Sequence, residues 1–266
     1  SFSTDRTLEI AESLGAEVFQ HEFVNQAQQF QWALDHCPIQ TDWVMRMDAD
    51  EYLEPDAQAE ICSRLPLIED DVDGLYLNRK VFFLGQWVRF GGMYPTVLLR
   101  IWRAGKGRME QRWMDEHIVL PPSAKTVRFE GNIVDENLKG ITAWVDKHNR
   151  YATREMVDLL NVKYGFCEKD DAVSNFDDPQ ARKKRMLKNR VYSRMPLGLR
   201  ALFYFLYRYV FRLGFLDGSR GFVFHFMQGF WYRLLVDVKI MEVETRCQGD
   251  VQRLRQLLES DYGIQL

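Results

Sequence analysis

The sequence predicts an α/β protein in which a mixed sheet is flanked by helices and followed by an α-helical C-terminal region. Three observations carry this expectation. Helix-period segments alternate with short apolar runs through the first fifty residues, glycine-punctuated β patterns follow, and a basic, aromatic stretch precedes the C-terminus.

Each element has its own signal. Ser3 or Thr4 can cap a helix whose apolar positions Leu8, Ala11 and Leu14 recur every three residues and which stops at Gly15; Val18 and Phe19 then read as a strand. A second helix fits Asn25 to Cys37, with Ala27, Phe30, Ala33 and Leu34 on one face. Pro38 ends it before the apolar run Trp43-Val44-Met45. This alternation predicts a mostly parallel sheet covered on both faces. After Pro55 come a short amphipathic helix and β patterns at Gly74 to Phe83, Thr96 to Trp102 and Val127 to Ile133. Turns at Gly91-Gly92 and Gly105 to Gly107 separate them, so the second half reads as mixed. The pattern is helical again from Thr142 to about Tyr164. The polar Asp170 to Gln180 stretch, with Pro179, is the expected linker, which divides the chain into 1–169, a linker at 170–181, and a helical region at 182–266.

With 266 residues, 46% of them hydrophobic and 27% charged, the chain can bury a sizeable core. Its net charge of -3 conceals an asymmetry, because residues 182 to 233 hold twelve Lys or Arg against the single acid Asp217. Cys37, Cys62, Cys167 and Cys247 are scattered without zinc-site spacing or a dense disulfide pattern, which favours a reducing, cytoplasmic setting. Ser1 is preceded by neither a start methionine nor a leader, so the chain is expected to begin inside a longer coding sequence.

The densest chemistry is Asp48-Ala49-Asp50-Glu51, directly after the strand Trp43 to Met47. Ligands of open α/β sheets gather beyond the carboxyl ends of strands, and three carboxylates are expected there. Asp48 and Asp50 can supply hard oxygen ligands to Mg²⁺ or Mn²⁺, which would neutralise a leaving nucleoside diphosphate. A solvated acidic turn that caps the next helix explains the same spacing equally well. Tyr52 stands where a haloacid-dehalogenase-type phosphatase has Thr or Val, which counts against phosphoryl transfer to an aspartate.

Ser3-Thr4-Asp5-Arg6-Thr7, then Thr41-Asp42-Trp43 running into Asp48-Ala49-Asp50-Glu51, resembles family 2 glycosyltransferases of the GT-A fold. More narrowly, the chain resembles bacterial lipopolysaccharide-core and exopolysaccharide transferases. The likeness runs to about Glu244 through Gly214-Phe215-Leu216-Asp217-Gly218 and Gly229-Phe230-Trp231-Tyr232-Arg233. It implies a nucleotide-sugar donor, a saccharide or lipid-linked acceptor, and inverting transfer in cell-envelope polysaccharide assembly. It also implies that a further strand, Asn-Glu turn, helix and strand belong ahead of Ser1. Within Asp115-Glu116-His117 the resemblance makes one of the two acids the general base, with Glu116 preferred over Asp115. His117 is a candidate for metal or diphosphate. Arg100 and Arg103 are candidates for the diphosphate, although solvated strand-edge arginines fit equally well. His21, His36 and His225 have no partner pattern, and His148 reads as a helix-face residue.

Residues 182 to 233 also hold fourteen of the thirty-six aromatics. The longest charge-free stretch there, Gly221 to Tyr232, is twelve residues, short of the about twenty that span a bilayer. Helices lying in the interface at the cytoplasmic side of the inner membrane are therefore expected, with Arg208 and Arg212 among the lipid contacts. No nucleic-acid partner is expected, since no recognisable motif for one is present. The alternative from another class is a membrane-surface binding module, or an inactive glycosyltransferase fragment.

Overall fold

The computed structural model describes residues 2–111, 116–166 and 195–264. Asp115, the expected linker and the basic run before residue 195 lie outside the described residues.

Two helices open the fold, α1 (Thr7–Ser13) and α2 (Gln26–His36). Asp5, rather than Ser3 or Thr4, organises the start of α1: its Oδ1 accepts from the Thr7 N–H at 3.0 Å and from the Thr7 hydroxyl at 2.6 Å. Asn25 caps α2 by accepting from the Gln28 N–H at 2.8 Å. Val18 and Phe19 join no sheet.

The strands are β1 (Trp43–Met45), β2 (Glu51–Leu53), β3 (Val72–Phe83), β4 (Gln86–Val88), β5 (Thr96–Arg103), β6 (Arg108–Met109), β7 (Ile118–Val119) and β8 (Lys125–Glu136), with α3 (Pro55–Arg64) after β2 and α4 (Gly140–Tyr164) after β8. Six of them form a curled mixed sheet in the order β1-β5-β3-β8-β2, with β4 beside the end of β3; β6 and β7 make a separate hairpin. The mostly parallel sheet expected from the alternation does not form. Only β3 and β8 run parallel, while β1/β5, β3/β5, β3/β4 and β2/β8 are antiparallel. The short Leu84-Gly85 turn fits the antiparallel pair β3/β4, whereas the parallel pair β3/β8 is joined by the long crossover such a pair needs.

The sheet's core is Val72, Leu75 and Leu77 of β3 with Ile101, Phe129 and Ile133, covered by Ile61 of α3 and by Leu65. Helix α3 lies so close to β8 that a Cβ on Gly131 would sit 2.5 Å from the Ala57 Cα. Only glycine admits that approach.

The C-terminal third is helical, as expected. Helix α5 (Leu199–Leu206) continues as a π-helical stretch (Tyr207–Phe211), and α6 (Gly218–Phe224) continues through a second one (His225–Trp231) into α7 (Tyr232–Cys247); α8 (Val251–Tyr262) follows. Helices α4, α7 and α8 share one core, built on Met156, Leu160, Val236, Val243, Leu254 and Leu258. Among the described residues, no helix is long and apolar enough to cross a membrane.

Polar groups tie α5 and α6 down from beneath. The Arg200 guanidinium and the Asp237 carboxylate pair within the interior, and Asp237 also accepts from the Gly198 N–H at 2.7 Å. Asp217 accepts from the Arg89 and Phe90 N–H groups, each at 3.0 Å. Arg208 donates to the Gly91 carbonyl at 3.1 Å and to Gln228 at 2.7 Å. It is 5% exposed, so the expected lipid contact of Arg208 is corrected: this guanidinium is a strut. His225, fully buried, presses on Gly91, where an added Cβ would lie 2.1 Å from its Cε1.

Two predictions follow from this packing. Asp237→Ala removes the carboxylate that the buried Arg200 guanidinium and the Gly198 N–H donate to, and lowers unfolding stability by about 3–5 kcal/mol in urea titrations. The second concerns pH. Burial holds His148 at about 4, and burial together with Arg208 holds His225 at about 3. Below the ordinary histidine value of about 6.5 the unfolded chain therefore binds protons that the folded chain refuses. Stability is full above that pH and falls as pH drops toward 4. His148→Phe, which keeps the ring stacked on Trp144, should recover about 2–3 kcal/mol at pH 4 relative to pH 7.

Candidate functional site

β1 and β2 lie at opposite edges of the sheet, yet only residues 46–50 separate them in sequence. The sheet curls until this short connection closes the gap, and the connection is the acidic turn. At one end the Arg46 N–H donates to the Arg100 carbonyl at 2.9 Å. At the other, Glu51 pairs in register with Asp135. Side chains from β3, β5, β8 and α4 are thereby drawn toward Asp48 and Asp50.

The three carboxylates of the turn do not share one fate. Asp48 and Asp50 have side chains 36% and 39% exposed. Glu51 is turned inward, 2% exposed, and pairs with the buried Arg100 guanidinium; its Oε2 also accepts from the Asp48 N–H at 3.0 Å. The expectation that all three face a ligand is corrected, since an extended residue after the turn points its side chain opposite to its neighbour. Burial raises the Glu51 pKa against the pull of Arg100. Burial also lowers that of Arg100, opposed by Glu51 and Asp48. Arg100 is thus a buried residue of the site and not a solvated strand-edge arginine.

Arg46 holds the turn to the β6–β7 hairpin. Its Nε donates to Asp48 Oδ1 at 3.2 Å, its Nη2 lies 3.7 Å from Glu116 Oε1, and its guanidinium lies over Phe30 at 5.4 Å from the ring centre. Asp48 and Glu116 therefore flank one cation. Asp50 faces the other way, accepting from Lys147 Nζ of α4 at 2.7 Å. Burial works against the Lys147 ammonium, but Asp50, Tyr151 and Asp135 together outweigh it and hold its pKa above the ordinary value. Asp135, raised by burial and facing Arg79 at 3.7 Å, completes the cluster.

Of the other expected site residues, His117 adjoins Glu116 and Arg103 lies apart. His117 Nδ1 is 3.5 Å from the buried Glu110 carboxylate of the same hairpin. Arg103 is carried by antiparallel β5 to the far end of β1, where it stacks 4.1 Å from the Trp43 ring centre and reaches the Val72 carbonyl at 3.3 Å. Sequence reasoning missed Arg46, Asp135 and Lys147. Lys147 directly precedes His148 on the predicted helix; Arg46 carried a weaker signal, a cation in an apolar strand just before two acids. A groove of about 430 Å³ runs beside β1, lined by Glu17, Pro38 to Thr41 and Trp43 to Met45.

Two half-exposed carboxylates suit a hard divalent cation that completes its shell with water and phosphate oxygens. Among the described residues no three His, Cys, Asp or Glu side chains converge into a protein-only metal cage.

The placement of the two arginines is testable by urea titration. Arg100→Met leaves Glu51 buried without its guanidinium and should cost about 3–5 kcal/mol. Arg103→Met removes a cation–π contact and long hydrogen bonds, and should cost about 1 kcal/mol.

No family model matches the chain.

Proposed function

We propose that the chain is an inverting, metal-dependent glycosyltransferase of the GT-A kind its sequence resembles. It moves a sugar from a nucleotide-sugar donor to a saccharide or lipid-linked acceptor in cell-envelope polysaccharide assembly on the cytoplasmic side. The observation that supports this best is the shared Arg46 guanidinium, which sets the preferred base, Glu116, beside Asp48 of the acidic turn.

In this reading Asp48 and Asp50 hold Mg²⁺ or Mn²⁺, which supplies charge neutralisation for the departing diphosphate. The chain's own groups do the rest. The Glu116 carboxylate takes the proton of the acceptor hydroxyl as that oxygen bonds to the anomeric carbon. The carbon–oxygen bond to the diphosphate breaks on the opposite face, and its electron pair leaves with the diphosphate. Arg46 orients Glu116, and Lys147 and Arg100 restrain Asp50 and Asp48 before the donor binds. Arg103, paired opposite Trp43 at the far end of β1, is given no role at the diphosphate, and His117 remains a candidate for the metal or diphosphate beside Glu116.

The test is sugar transfer from a panel of nucleotide sugars with and without Mn²⁺ or Mg²⁺. Asp48→Ala and Asp50→Ala should lose metal-stimulated turnover. Glu116→Gln should keep donor binding while kcat falls by about 10²–10⁴-fold. Wild-type protein that binds no nucleoside diphosphate with either metal, and turns over none of the donors, would overturn the proposal.

A further inference from the structure

Helix α5 and its continuation are inside out. The apolar side chains Leu199, Leu202, Phe203, Leu206 and Val210 recur at helical spacing on one face and are all exposed, Phe203 at 53%. Phe211, next in the chain, is 76% exposed. The buried face carries Ala201 and Arg208, and Arg200 is buried as well. A helix on the surface of a water-soluble domain has the opposite arrangement, with apolar groups inward and cations in water.

The next helical segment also turns apolar side chains outward. Phe222, Val223 and Phe226 are exposed, while Phe224 and His225 are buried. The two segments form one surface, because Phe205 of α5 meets Phe222 at 6.3 Å and Phe226 at 6.0 Å between ring centres. Tyr209 meets Phe222 at 5.5 Å and Phe215 at 6.3 Å.

The charge on this surface has one sign. From residue 195 to 231 the acid is Asp217, which is buried on backbone N–H groups. Of the four arginines there, Arg200 and Arg208 are interior and Arg212 and Arg220 are exposed. An exposed aromatic face with cations and no exposed carboxylate matches a bilayer surface bearing anionic headgroups. Rings settle at headgroup depth and guanidinium groups meet phosphate.

We infer that the face formed by residues 199–226 docks this protein on an anionic membrane surface, lying in the interface, with Phe203, Phe211, Phe222 and Phe226 inserted and Arg212 and Arg220 on the headgroups. This is narrower than the span 182–266 expected from composition. It relocates the cationic contribution from Arg208 to Arg212 and Arg220, and it does not depend on the chemistry of the acidic turn.

The experiment is co-sedimentation of the full chain with vesicles of phosphatidylcholine alone and of phosphatidylcholine mixed with phosphatidylglycerol. Size exclusion and thermal melts of every variant run alongside. Wild type and Leu67→Asp, an exposed site away from the face, should pellet with the mixed vesicles. Phe203→Asp/Phe211→Asp should melt like wild type and stay in the supernatant. Arg212→Glu/Arg220→Glu should lower partitioning onto mixed vesicles by at least tenfold, since each basic side chain is worth about fivefold at such a surface, and should erase the preference over phosphatidylcholine. If the aromatic variant fails to fold, the charge variant decides alone. Wild type that ignores mixed vesicles, or variants that bind as wild type does, would sink the inference. So would a dimer that Phe203→Asp/Phe211→Asp dissociates without any vesicle binding, because the face would then be a contact between copies.

Discussion

Five residues must join opposite edges of one sheet, and those residues carry the charge on which the rest of the structure depends. The connection from β1 to β2 crowds Asp48, Asp50 and Glu51 against Asp135. Four carboxylates at one end of a sheet would repel one another and resist closure. The fold answers with one cation from each neighbouring element: Arg46 after β1, Arg79 on β3, Arg100 on β5 and Lys147 on α4. The sheet can curl to this degree because those charges arrive with the strands that curl. Three of the four acids, Asp48, Asp50 and Asp135, keep side chains 32% to 39% exposed, and only Glu51 is fully turned inward.

The C-terminal helices solve a different problem with similar means. Burying Arg200, Arg208 and Asp217 beneath α5 and α6 is unfavourable unless every charge finds partners, and most of their polar atoms do. An apolar interior would satisfy water more simply. The arrangement becomes economical once the outer face is not meant for water, because the apolar residues are then free to point outward and the polar ones must turn in.

Much of the secondary structure was legible in the sequence. The second helix, the strand before the acidic pair, the three long β patterns and the helix from about residue 140 all form where apolar period and turn residues place them. Strand order was not legible. That β3 lies between β5 and β8 is decided by long-range pairing, and the early alternation, which pointed to parallel strands, says nothing of it. The same limit governs the site. The spacing Asp48-Ala49-Asp50 locates the turn, but that Glu51 folds inward depends on Arg100, and that Glu116 approaches Asp48 depends on Arg46. Both guanidinium positions follow from sheet register, which no local pattern encodes. Composition likewise revealed a basic, aromatic region without separating Arg208, a strut, from Arg212, a surface cation.

Helix α4 joins the two halves of this account. Near its start Lys147 holds Asp50, and one turn earlier Trp144 packs against Phe83 of β3 and lies 6.2 Å from Trp231 of the helix that carries the aromatic face. Farther along, Met156 and Leu160 build the core shared with α7 and α8. A displacement of the aromatic face relative to the sheet would therefore be felt at Trp144, a single helical turn from the lysine that neutralises the acidic pair. That lysine is 38% exposed, donates to Asp50 and lies beside Tyr151 of the same helix. In the proposed function it is the counter-charge that an entering cation would displace from Asp50, and it sits on the helix that also contacts the segment carrying the aromatic face.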